Sequence, residues 1–180
     1  MNKLLKILAI TAISATAIGT AQAQDELPVA GYPAARDVPG AHWLPDPEIE
    51  HKVVFDAATA AENIDDVNPM LVATARYVNT LAKYGVPAEN RKIAVVFHQG
   101  ASPAVLKSDA FKSRNDGHDN PNIELIRSLH AAGVSFHLCG QAATGLKYDA
   151  SEIQDEIQLD LWALTTLIEY DRLGYARFGG

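Results

Sequence analysis

The chain has 180 residues, with 15 Lys and Arg against 22 Asp and Glu and a formal net charge of −7. That balance, without a Lys/Arg cluster, excludes a nucleic-acid or anionic-membrane surface and leaves small molecules and proteins as partners. A single cysteine, Cys139, excludes an internal disulfide and leaves one thiol to be explained.

In chain order, the first segment is "MNKLLKILAITAISATAIGTAQAQ", in which Lys3 and Lys6 precede an apolar run from Ile7 to Ile18 that closes at Ala21-Gln22-Ala23. This pattern predicts a secretory signal peptide over residues 1–23. The run is too short, and too interrupted by Thr and Ser, to read as a membrane anchor. The mature protein is therefore expected to be exported and soluble. Residues 24–50 are rich in Pro and polar groups and carry no period of 2 or 3.6. They are expected to form an extended N-terminal arm, docked through Tyr32 and Trp43.

From residue 51 to 180 short apolar runs alternate with amphipathic segments. "HKVVFDAAT" (51–59) reads as a strand. Asn68-Pro69 then caps a helix through Tyr84, with Leu71, Ala75, Val78 and Ala82 at helical spacing and Gly85 as the stop. "RKIAVVFHQG" (91–100) is a second strand, apolar nearly throughout as expected when both sheet faces are covered. "SPAVLKSDAFKSRND" (102–116) predicts a short helix capped by Ser102, and "NPNIELIRSLHAAG" (120–133) another, ending at Gly133. "VSFHLC" is the third strand, "EIQLDL" a fourth, "WALTTLIEYDRLG" (162–174) the last helix and "YARF" a terminal edge strand. Strands separated by helices predict an α/β fold with a mostly parallel sheet covered on both faces.

In such sheets ligands bind beyond the carboxyl ends of the strands, where His98 and Cys139 fall. Residues two apart on a strand share a face, so His137 is expected to point the same way as Cys139. An imidazole near a thiol favours the thiolate, which is the nucleophile. Gly140 permits a sharp exit from the strand, Gly100 a turn after His98, and the Gln141 amide can fix a bound group. Each has a plainer reading: Cys139 as a small buried apolar residue, His137 as a hydrogen-bonded core residue, Gln141 as a capping group. A metal reading through His98, His137 and Cys139, with His118, has suitable donors but no ligand-type spacing. Asp65-Asp66, Glu152, Asp155 and Glu156 read as solvated charges, and Thr165-Thr166 as packing.

The order of "KIAVVFHQGAS", "NPNIELIRSLHAAGV", "CGQAATG" and "TTLIEYDRLGYARF" resembles the DsrE/DsrF-like family of sulfur-relay proteins, across most of residues 51 to 178. The resemblance implies a three-layer α/β/α sandwich with a mostly parallel five-stranded sheet, assembled into homo-oligomers (dimer, trimer or hexamer). It also implies that Cys139 accepts sulfane sulfur as a persulfide and passes it on. Donors and acceptors would be proteins or small sulfur compounds, and no cofactor is implied. Gly140 and Gln141 would belong to the cysteine turn and His98 to the neighbouring strand end. The chain departs from the family pattern in its signal peptide, which implies a periplasmic location, and in having only Lys147 as a basic residue soon after the cysteine. Two alternatives stay open: a non-catalytic ligand-binding or assembly subunit of the same fold, and a His/Cys metal-binding protein.

Overall fold

The computed structural model describes residues 27–180, so the expected signal peptide at 1–23 lies outside the described residues. Five strands, β1 (His51–Ala57), β2 (Arg91–Phe97), β3 (Ser135–Cys139), β4 (Ile157–Asp160) and β5 (Ala176–Gly179), form one sheet in the order β4-β3-β2-β1-β5. Every pairing is parallel. The expected sheet is thus present and wholly parallel.

Five α-helices accompany it: α1 (Pro69–Lys83), α2 (Ser108–Arg114), α3 (Ile123–Ala131), α4 (Gly140–Gly145) and α5 (Ala163–Arg172). The start of α1 follows its sequence signal, since the Asn68 side chain accepts a 2.9 Å hydrogen bond from the Met70 N–H and Pro69 occupies the first turn. It stops at Gly85, whose φ of 81° is open to glycine without strain.

The strands alternate between two apolar layers. Phe55, Ile93, Val95, Phe97, Phe136 and Leu138 pack with Leu71, Val78 and Leu81 of α1 and Leu125, Ile126 and Leu129 of α3. Val54, Ala94, Val96 and Cys139 face the other way, against Ala163 and Leu167 of α5. This double coverage is why β2 is apolar at consecutive positions. In the larger layer Phe97 and Phe136 stack with centroids 6.1 Å apart. Burial of each such ring contributes about 1.5–3 kcal/mol.

The segment 102–116 departs from the single helix expected there. A 3-10 turn runs from Gln99 to Val105 with Pro103 inside it, and the chain is extended at Leu106, which bridges Ile153 before α2 begins. Ser102 caps nothing; it is fully buried and its hydroxyl has no hydrogen-bond partner. The reason lies in distant side chains. The Asn120 amide donates to the carbonyls of Ala104 and Leu106 at 3.0 and 2.7 Å, and the Gln154 amide donates to Ala104 at 3.1 Å. Those carbonyls are the acceptors a continuous α-helix would have used.

The arm also docks differently from expectation. Val29 is fully buried, and Asn79 of α1 accepts from its N–H at 2.9 Å while donating to the carbonyls of Val29 and Tyr32. Tyr32 packs partly buried on the core, but Trp43 is 88 % exposed and pairs edge-on only with the His42 ring. Bonds from the Asn79 side chain to the arm backbone, together with buried Val29 and the expected anchor Tyr32, hold this segment, while Trp43 does not.

Candidate functional site

The parallel register brings three chemically capable residues to one edge of the sheet. Asp56 is next to last in β1, His98 follows β2 directly and Cys139 ends β3. Together with Gln99, Gln141, Trp162, Leu164, Leu167 and Arg177 they line an open cleft of about 760 Å³. That volume lies within the range of small-molecule sites, and the walls are mainly apolar with a few polar groups, as such sites require.

Cys139 forms the floor and is 4 % exposed. It is the residue before α4, and the chain must leave β3 there beside the end of β4, since Cys139 pairs with Asp160. Gly140 makes that exit possible: a Cβ on it would come 2.5 Å from the Asp160 carbonyl oxygen and 3.2 Å from that of Leu161. Close backbone approach, not an unusual φ, is what selects glycine here. The Gln141 amide donates to the Leu161 carbonyl at 3.1 Å, tying the cysteine turn to the approach of α5.

His98 faces Asp56 at 2.6 Å through Nε2. A carboxylate only accepts, so Nε2–H is the donor and Nδ1 is the nitrogen left for other partners. Asp56 is 6 % exposed, its second oxygen lies 3.9 Å from Arg177 Nη1, and Arg177 donates to Asp171 at 2.6 Å. The next residue, Gln99, has φ of 49°, a left-handed conformation that side chains other than glycine adopt at a cost of about 1–3 kcal/mol. One of three such non-glycine positions among the described residues, with Asp116 and Lys147, thus lies directly beside the imidazole.

His137 shares the sheet face of Cys139, but it lines a separate cleft of about 420 Å³ with Asp160, Thr166 and Tyr170. Both its ring nitrogens are engaged. Nδ1–H donates to Asp160 at 2.9 Å and Nε2 accepts from the Tyr170 hydroxyl at 2.7 Å. Burial above all, with Tyr175 and Asp160 nearby, holds the Tyr170 phenol above its ordinary pKa against the opposing hydrogen bond from Ser135, so it stays a donor at neutral pH. Thr166 also donates to the same Asp160 oxygen at 2.7 Å.

Gly100 does not line the Cys139 cleft; its Cα packs against the β1 exit, where a Cβ would meet the Ala60 nitrogen at 3.2 Å. His118 pairs with Asp65 at 2.8 Å on an exposed loop. Among the described residues no group of three or more His, Cys, Asp or Glu side chains is arranged to hold a metal ion. His98, His137 and Cys139 do not converge on a shared point, because His137 is drawn away by Asp160 and Tyr170.

Sequence reasoning missed Asp56 and Arg177. Asp56 left one usable signal, an acidic residue inside the apolar run of β1. Arg177 left none, because only the pairing of β5 with β1 brings it to the cleft.

A family model described as DsrE/DsrF-like matches residues 45–178. The chain belongs to the DsrE/DsrF-like family. The match covers β1 to β4 and most of β5, including the histidine and cysteine strand ends that carry the cleft. Among solved structures, the fold is similar to that of a protein of unknown function from Methanobacterium thermoautotrophicum, at 17 % identity and a TM-score of 0.50. That likeness covers 72 % of this chain and 98 % of the other, and concerns the fold alone. No curated protein matches the chain.

Proposed function

We propose that this DsrE/DsrF-like protein is a periplasmic sulfur carrier, or sulfurtransferase-like protein, in which Cys139 accepts sulfane sulfur as a persulfide and hands it to a partner. The observation that carries this reading is the common cleft of Cys139 and the Asp56–His98 pair. An imidazole fixed by a buried carboxylate can take the thiol proton and return it to a leaving group. Gln141 and Gly140 shape the turn that presents the sulfur, and the His137 network holds the adjoining end of β4. The signal-peptide pattern of residues 1–23 is what supports the periplasmic part of this reading, and family membership supports a sulfur-relay role; the homo-oligomer is part of the proposal.

Intact-mass spectrometry of the mature protein after exposure to a sulfane donor tests this directly. The wild type should gain sulfur and Cys139→Ala should not. Equal masses for the two, with slow alkylation of the wild type at neutral pH, would refute the carrier role.

A second reading, a non-catalytic binding or assembly subunit, is favoured by the deep placement of Cys139 and by exposed apolar side chains on α5, Leu164 and Ile168, and just after it, Leu173. It requires an unreactive thiol and an oligomer indifferent to Cys139→Ser.

A further inference from the structure

We infer that the sulfur donor at Cys139 is a low-molecular-weight organic hydropersulfide with an apolar body, and that Asp56 is the positioning residue that aims His98 at its leaving sulfur. This rests on the carrier reading above and deepens it by naming a substrate class.

Three observations lead here. First, the thiol lies at 4 % exposure in a cleft of about 760 Å³, a placement that a compact molecule reaches more readily than a flat protein surface. Second, the walls around the thiol are Ala142, Leu146, Trp162, Leu164 and Leu167, which offer contact to an apolar body and almost no hydrogen bonding to a polar one. Third, the one cation of the cleft, Arg177, is already held between Asp171 at 2.6 Å and Asp56 at 3.9 Å. A strongly anionic donor would have to compete with two carboxylates for it.

The transfer balances without an external oxidant. Cys139–SH and R–S–SH give Cys139–S–SH and R–SH. His98 Nδ1 takes the Cys139 proton, and the thiolate attacks the terminal sulfur of the donor. The S–S bond of the donor breaks as the new S–S bond forms, and R–S⁻ takes the proton back from His98. The sulfane sulfur keeps its oxidation state. Asp56, at 6 % exposure and 2.6 Å from Nε2, fixes the tautomer that leaves Nδ1 free and stabilises the imidazolium between the two proton transfers.

The test uses the mature chain, benzyl hydropersulfide as the apolar donor, glutathione hydropersulfide as the charged donor and inorganic polysulfide as a donor without a body. Loading rates are read by intact mass. Benzyl hydropersulfide should load the wild type about tenfold faster than glutathione hydropersulfide, the scale of discrimination a hydrophobic pocket supplies. Leu164→Asp, at a position already 45 % exposed and therefore safe for folding, should erase that preference. Asp56→Asn should slow loading and displace its pH profile, which a purely structural loss would not do. If polysulfide loads Cys139 but the two organic donors load equally, or the charged one faster, the substrate class is wrong while the carrier reading survives. If no donor loads the thiol, both fall. An unshifted pH profile in a folded Asp56→Asn protein overturns the positioning role.

Discussion

Asp56 and His98 are 42 positions apart in the chain, yet a 2.6 Å hydrogen bond joins them. The β1–β2 register accounts for it: Asp56 lies opposite Val96, and His98 is two residues further along, on the same face. A buried acid thereby meets an imidazole at the strand ends, beside the only thiol of the chain.

That relationship predicts the behaviour of His98→Ala. Loss of a positioned proton carrier typically costs about 10²–10⁴ in rate. Sulfur loading of Cys139 should fall by about a hundredfold or more, with the melting temperature measured in parallel to confirm a folded variant. Unchanged loading in a folded His98→Ala protein would remove the imidazole from the chemistry.

Gly140→Ala places a methyl against the backbone carbonyls of Asp160 and Leu161 rather than against a yielding side chain. Overpacking of this kind costs about 1–3 kcal/mol, which calorimetry would register as a drop of several degrees. Gly145→Ala is the control, because a Cβ there meets nothing within 4 Å. Equal melting temperatures for the two variants would show that β4 yields freely.

Asn79→Ala removes an acceptor for the Val29 N–H and the donors to the Val29 and Tyr32 carbonyls, the two Val29 bonds buried and the Tyr32 bond partly so. Stranding those groups should cost about 1–3 kcal/mol. Limited proteolysis should then cut within residues 27–50 well before the sheet unfolds. A protease pattern identical to the wild type would mean that the arm is held elsewhere.

Acid stability should depend on Glu152. The Asp149 N–H first, and then Arg114, hold the Glu152 carboxyl below its ordinary value of 4.5. A depressed folded-state pKa contributes stability that is complete above 4.5 and lost as pH falls through the folded-state value. Melting temperature followed from pH 6 to 3 should therefore decline more steeply in the wild type than in Glu152→Gln. Superimposable acid limbs would refute the assignment.

Much of this architecture was legible because its causes are local. "VVF" and "IAVVF" announce strands covered on both faces, and Asn68-Pro69 and Gly85 bracket α1. His98 and Cys139 were visible as polar or reactive residues at the ends of apolar runs. What stayed hidden depends on partners far away in sequence. Ser102-Pro103 has the look of a helix start, but Asn120 and Gln154 claim the carbonyls such a helix would need. His137 could be placed on the face of Cys139, but not that Tyr170 and Asp160 would occupy both of its nitrogens. Trp43 illustrates the converse: aromatic character suggested an anchor, while Asn79, an unremarked helix residue, supplies it.

The pairing of β1 with β5, which sets Val53 opposite Ala176, closes the longest loop in the sheet. Joining distant segments costs loop-closure entropy that grows slowly with their separation, so this edge carries the largest such cost in the sheet. The thiol and the imidazole belong to the shorter crossovers. A chain halted before residue 176 would hold Cys139 and His98 on adjacent strands, but would lack both Arg177 and the 3.2 Å bond from the Gly180 N–H to the Asp56 carbonyl. The cleft is therefore complete only when the last strand of the chain has docked on the first.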